Sequence, residues 1–193
     1  MTHQPDRYQA LIFDCDGTLT DSMETHYIAW HQTMSQHGID FTRERFYALA
    51  GVPTEKIIQI LADEAGVPLD VLEVADEKEA AFLELIDHVG PFEAVVQIAA
   101  QMRGRIPMAV ASGGRRESID AQLRRIGCEG WFDAVVTSED TQRHKPHPDV
   151  FLHAAQLMDV PPKGCLVYED ADLGIAAAAA AGMDCVDVRG WKS

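Results

Sequence analysis

The chain is short of positive charge. Its 16 lysines and arginines face 31 acids, for a formal charge of -15 and a sequence pI near 4.7. That balance argues against DNA, RNA and anionic membrane surfaces as partners, because all three are held by basic patches. Long apolar runs are missing too, and none approaches the ~18 residues a membrane span needs. The opening Met1-Thr2-His3-Gln4-Pro5-Asp6-Arg7 has no basic stretch feeding an apolar one, so no secretory signal is expected there. The four cysteines, Cys15, Cys128, Cys165 and Cys185, form no C-x-x-C pair. Zinc ribbons and dithiol redox motifs therefore lack support, and buried thiols in a reducing cytoplasm are expected. No internal repeat is present.

What remains is an ordinary globular composition over 193 residues, 47% hydrophobic and 24% charged. The length allows one domain with a sizeable insertion. Short apolar runs at Ala10–Phe13, Pro107–Ala111, Ala134–Thr137, Cys165–Tyr168 and Cys185–Val188 read as strands. Helical spacing lies between the later ones, as in Phe92, Val95, Val96, Ala99 and Met102. Strands alternating with helices predict an α/β fold with a parallel sheet covered on both faces. The alternation is interrupted after the first strand. From Asp21 to Val89 only helical patterns appear, with breaks at Gly38, Pro53 and Gly66-Val67-Pro68, and no strand is expected there. Residues 1–20 and 90–193 are thus assigned to the α/β core and residues 21–89 to an inserted helical domain.

In open parallel sheets, ligands bind beyond the carboxyl ends of the strands. Those ends carry Asp14 and Asp16, then Ser112 and Gly113, then a loop with Lys145, then Glu169 and Asp170. Carboxylates, a hydroxyl, backbone N–H groups and one cation at a single rim suit metal-assisted phosphoryl chemistry. Clustered carboxylates repel unless a cation lies between them, and hard oxygen donors favour Mg²⁺ over zinc or copper. Asp14 can act as nucleophile and Asp16 as proton donor and acceptor. Ser112, the Gly113 N–H and Lys145 can hold phosphoryl oxygens. Each residue alone has a plainer reading: a turn aspartate, loop chemistry, a surface lysine, a helix cap. Their joint order along the sheet carries the weight. Cys15, between two carboxylates, reads as packing, and His144 and His147 lack a third ligand. Met23, Tyr27, Trp30 and Met34 read mostly as core, with His26 and Trp30 also placed to touch substrate.

The segment Asp14-Cys15-Asp16-Gly17-Thr18-Leu19-Thr20-Asp21-Ser22 resembles the first motif of the haloacid-dehalogenase-like phosphatases. Ser112, Lys145 within Lys145-Pro146-His147-Pro148-Asp149, and Glu169-Asp170-Ala171-Asp172-Leu173-Gly174 match the other three. The helical insertion resembles the C1 cap of the β-phosphoglucomutase-like branch, nearest its fructose-1-phosphate and 6-phosphogluconate phosphatases. The resemblance implies a Rossmann-like core, an aspartyl-phosphate on Asp14, and acid–base work by Asp16. It also implies Mg²⁺ on Asp14, the Asp16 carbonyl and Asp170, supported by Glu169, with phosphate on Ser112, Gly113 and Lys145. His26, Trp30 and Gly51 fall where the branch places cap residues near substrate. The related mutases carry basic residues where this chain has Ala50 and Thr54, and the block's only cations are Arg43, Arg45, Lys56 and Lys78. Mutase activity is therefore the second choice. A receiver-type signalling protein, a silent binding protein on a phosphatase fold and dehalogenation rank lower. The expectation is a monomeric cytoplasmic phosphatase acting on small phosphorylated metabolites.

Overall fold

A computed structural model describes residues 4–50 and 52–191. Five parallel strands form the central sheet: β1 (Ala10–Phe13), β4 (Met108–Ala111), β5 (Ala134–Val136), β6 (Cys165–Glu169) and β7 (Asp184–Asp187). Their spatial order is β5-β4-β1-β6-β7. All four residues of β1 are buried, as the continuous apolar run requires of a strand covered on both faces. Side chains alternate between the two layers. Ala10 and Ile12 pack with Ala154 and Ala177, while Leu11 and Phe13 pack with Val95 and Ile119.

Helices α5 (Glu93–Met102) and α6 (Arg116–Arg125) cover one face. Helices α7 (Asp149–Leu157) and α8 (Asp172–Ala180) cover the other. The alanine tract of α8 does what its small side chains permit: Ala177 and Ala178 are fully buried in that layer. Because β1 lies between β4 and β6, the chain leaving all three strands arrives at one place. Asp14, Ser112 and Asp170 are brought together by strand order alone.

The helical block consists of α1 (Met23–Gln36), α2 (Arg43–Ala48), α3 (Thr54–Ala65) and α4 (Val71–Glu84). It has its own core around Trp30, Met34, Phe41, Ile58 and Leu61. Thr42 caps α2 by accepting the Arg45 N–H, and Asp70 caps α4 by accepting from Leu72 and Glu73. Gly66 closes α3 in the left-handed conformation.

Two features differ from the sequence reading. β2 (Thr20–Asp21) and β3 (Gly90–Pro91) pair antiparallel, with Asp21 opposite Gly90. This ribbon holds the entry and exit of the block side by side, and two-residue strands are too short to show any alternation. In addition, the helical pattern after Gly66-Val67-Pro68 does not run unbroken to Val89: α4 ends at Glu84, and a separate 3-10 turn, Ile86–His88, follows. Among the described residues, no helix is long and apolar enough to cross a membrane.

Candidate active site

Asp14 is the first residue past β1, and its N–H continues the ladder by donating to the Tyr168 carbonyl at 3.0 Å. Its carboxylate is buried, with Lys145 Nζ 2.7 Å from Oδ1. The same ammonium lies 3.0 Å from Glu169 Oε1. Oxygens of Asp14, Glu169 and Asp170 all fall within 4.8 Å of one another. Burial pushes the Asp14 carboxyl well above the ordinary carboxylate range, and the Glu169 charge adds to this while Lys145 opposes it. Burial alone would favour a neutral lysine, but the Asp14 and Glu169 charges overcome it and raise the Lys145 pKa.

Two glycines make this crowding possible. Gly17 has φ +79°, and a Cβ there would sit 2.1 Å from Asp170 Oδ2. Gly174, on α8, faces Glu169 in the same way. Glu169 is further fixed by the backbone N–H groups of Asp170 and Ala171, which donate to Oε2 at 2.5 and 3.0 Å. The sequence allowed Glu169-Asp170 to cap α8; instead Ala171 is the N-cap residue, and no side chain caps the helix. Thr18 Oγ donates to Asp170 Oδ1 at 3.2 Å.

Asp16 belongs to a second network. Its Oδ1 accepts from Ser22 Oγ at 2.7 Å and lies 2.7 Å from His26 Nε2. Lys78 Nζ is 3.2 Å from His26 Nδ1. An ammonium can only donate, so Nδ1 accepts and Nε2–H donates to Asp16. Burial works to raise the Asp16 carboxyl, but His26, Ser22 and Gln122 outweigh it and hold the group well below its usual range. Lys78 is itself buried, 5.6 Å from the Trp30 ring centre and 5.4 Å from that of Phe82, and it pairs with Glu79 at 3.0 Å. Glu79 accepts from Ser118 Oγ on α6 at 2.5 Å, so this chain of contacts runs from the core, through α1 and α4, back to the core.

Ser112 is buried past β4, and its Oγ accepts the Gly114 N–H at 3.0 Å. The hydroxyl hydrogen can then turn toward a ligand, and Gly113 beside it is exposed. Asp14, Asp16, Ser112, Gly113, Lys145, Glu169 and Asp170 line one cavity of about 1150 Å³, together with His26 and Trp30. Gly51 lies outside the described residues. No histidine joins the carboxylate cluster among the described residues, and Cys15 is core, its thiol pushed up by burial and by Asp16 and Asp14.

Sequence reading gave no site role to Lys78, Glu79, Ser22 or Gln122. Lys78 carried a signal: it shares the inward face of α4 with Val74, Ala75 and Phe82, where a cation requires a partner. Gln122 is fully buried on α6 and accepts from Thr20 Oγ at 2.6 Å.

The sequence profile of the haloacid dehalogenase-like hydrolases matches residues 8–182. The chain belongs to that family. It is 43% identical over 185 residues to fructose-1-phosphate phosphatase YqaB of Escherichia coli (strain K12), covering 95% of this chain and 98% of that one. It is 31% identical over 189 residues to beta-phosphoglucomutase of Bacillus subtilis (strain 168), covering 93% and 83%. Among solved structures, it is similar to CbbY from Rhodobacter sphaeroides in complex with xylulose-(1,5)bisphosphate. That match has a TM-score of 0.84 and 25% identity, and it covers 92% of this chain and 84% of the other. The parallel sheet and helical insertion are those of this family, and the chain is a phosphoric monoester hydrolase.

Proposed function

We propose that the chain hydrolyses small sugar phosphates, fructose 1-phosphate among them, through an aspartyl-phosphate on Asp14. One observation carries this reading. A buried carboxylate at the end of the central strand shares a cavity with the lysine bonded to it, a serine hydroxyl and a second, separately held aspartate. The 43% identity to a fructose-1-phosphate phosphatase supports the choice of sugar.

The donor set fits Mg²⁺. Asp14, Glu169 and Asp170 offer hard oxygens close together, and the Lys145 ammonium is bonded to two of these carboxylates. In this reading Asp14 and Asp170 hold the ion, with the Asp16 carbonyl, and Glu169 supports them. When bound, Mg²⁺ supplies positive charge that offsets the repulsion between a carboxylate and a phosphate dianion.

An Asp14 oxygen attacks phosphorus and the ester P–O bond breaks. Asp16 gives its proton to the leaving oxygen. Water then attacks the same phosphorus, the Asp14–phosphate bond breaks, and Asp16 takes a proton from that water. The contacts from His26 and Ser22 favour the carboxylate that the second half requires; the first half uses the acid form, which Asp16 reaches by releasing those contacts as substrate enters. Ser112, the Gly113 N–H and Lys145 neutralise the phosphoryl oxygens. The block from 21 to 89 acts as a cap: Trp30 and His26 bring it to the cavity lining, and the ribbon of β2 and β3 joins the cap to the core.

Released phosphate, measured across a panel of sugar phosphates with Mg²⁺ and then with EDTA, tests this reading. Turnover of fructose 1-phosphate that EDTA stops and Mg²⁺ restores is expected; turnover of none of the panel would contradict it. The likeness to beta-phosphoglucomutase favours a second reading, isomerisation. Conversion of β-glucose 1-phosphate without net phosphate release, given a trace of bisphosphate, would identify that reaction.

A further inference from the structure

The cavity has a charge pattern that its phosphate-handling residues do not explain. Four cations line it among the described residues, and each is already matched to carboxylates. Lys145 bridges Asp14 and Glu169, and Lys78 pairs with Glu79. Arg189 is shared by Asp187 and Asp172. Arg115, three residues beyond Ser112, is the remaining one, and it is held from the helical block. Its Nη1 is 2.5 Å from Asp76 Oδ1 on α4, and its Nη2 is 3.6 Å from Glu55 Oε1 on α3. These contacts raise the Arg115 pKa, with the Asp76 hydrogen bond the largest influence. The lining also carries Asp21 and Glu24.

A second phosphate on the far end of a substrate brings about two negative charges. It would enter a wall whose cations are engaged and whose other charged groups repel it. Resting on the phosphatase reading above, we propose that Glu55 and Asp76 are specificity-determining residues: by occupying Arg115 they restrict the site to monophosphates with an uncharged polyol tail and exclude bisphosphates. An acid pair on a guanidinium selects by removing the attraction a competitor would need. Glu55 and Asp76 lie on separate cap helices, and Arg115 precedes the core helix α6, so the exclusion operates with the cap against the core.

Binding tests this directly. The Asp14→Asn chain, which blocks turnover, is titrated calorimetrically with fructose 1-phosphate and with fructose 1,6-bisphosphate in excess Mg²⁺. The two ligands share the reacting end and differ only in the far phosphate. The expected result is a bisphosphate Kd at least about tenfold weaker. Adding Glu55→Gln and Asp76→Asn narrows the gap to within about threefold, and adding Arg115→Ala to those restores it. Equal affinities in the Asp14→Asn chain would overturn the proposal. So would a gap that survives the acid substitutions, a narrowing that persists without Arg115, or failure of both ligands to bind. Wild-type protein that shows the selective binding but releases no phosphate would contradict the phosphatase reading alone and leave the selectivity standing.

Discussion

Glu169 and Gly174 fit together only because the glycine has no side chain: a Cβ at 174 would lie 1.7 Å from Glu169 Oε1. The carboxylate cannot retreat easily, since two backbone N–H groups and Lys145 hold it. Gly174→Ala therefore forces α8 or Glu169 to move. Overpacking of this kind costs about 1–3 kcal/mol, and the displaced carboxylate loosens the grip on Lys145. Urea unfolding should show that loss, accompanied by slower phosphate release. Unchanged stability and rate would mean that Glu169 is free to shift.

Lys145 is the ammonium between two buried carboxylates. Lys145→Met keeps much of the side chain's bulk against Phe151 and deletes the charge. Breaking a buried pair by removing one partner costs roughly 3–5 kcal/mol. The variant should unfold at lower urea by about that amount in metal-free buffer. Mg²⁺ should raise its Tm more than that of the wild type, because no ammonium competes for Asp14. Equal stability would show that Asp14 and Glu169 are relieved in some other way.

Glu79 gives the stability of the cap a pH dependence. Burial acts to raise its pKa, but Lys78 and Ser118 outweigh burial, and the folded value falls below the ordinary 4.5. A depressed carboxyl stabilises the fold above the unfolded pKa and loses that contribution as pH falls through the folded one. Wild type should thus exceed Glu79→Gln in stability at pH 7, and the difference should shrink as pH falls below 4.5. Thermal unfolding of both chains across that range checks this, and a difference independent of pH would contradict it.

The core of this fold could be read from particular stretches. Ala10–Phe13 is apolar without interruption because both faces are covered, and it stops at Asp14 because the rim begins there. The same logic located Ser112 after β4 and the acids at the end of β6, although Glu169 proved to be the last residue of that strand. Tyr27, Trp30 and Met34 showed their inward face by helical spacing. What stayed hidden depends on contacts distant in sequence. Lys78 meets His26 across 52 positions, and Ser118 meets Glu79 across 39. Neither pairing leaves a periodic trace. The β2–β3 ribbon was missed for another reason: each strand is two residues long, and its pairing is visible only once residues 21 and 90 are side by side.

In the proposed reaction the Asp14 carboxylate is the group that takes the phosphoryl. Phosphate release from fructose 1-phosphate in Mg²⁺, compared between wild type and Asp14→Asn, measures this with little else changed, since the amide keeps the carboxyl's shape. Turnover is expected in the wild type and none above background in the variant, with the circular-dichroism spectrum of the folded chain retained. A folded variant that still releases phosphate at an appreciable fraction of the wild-type rate would contradict it.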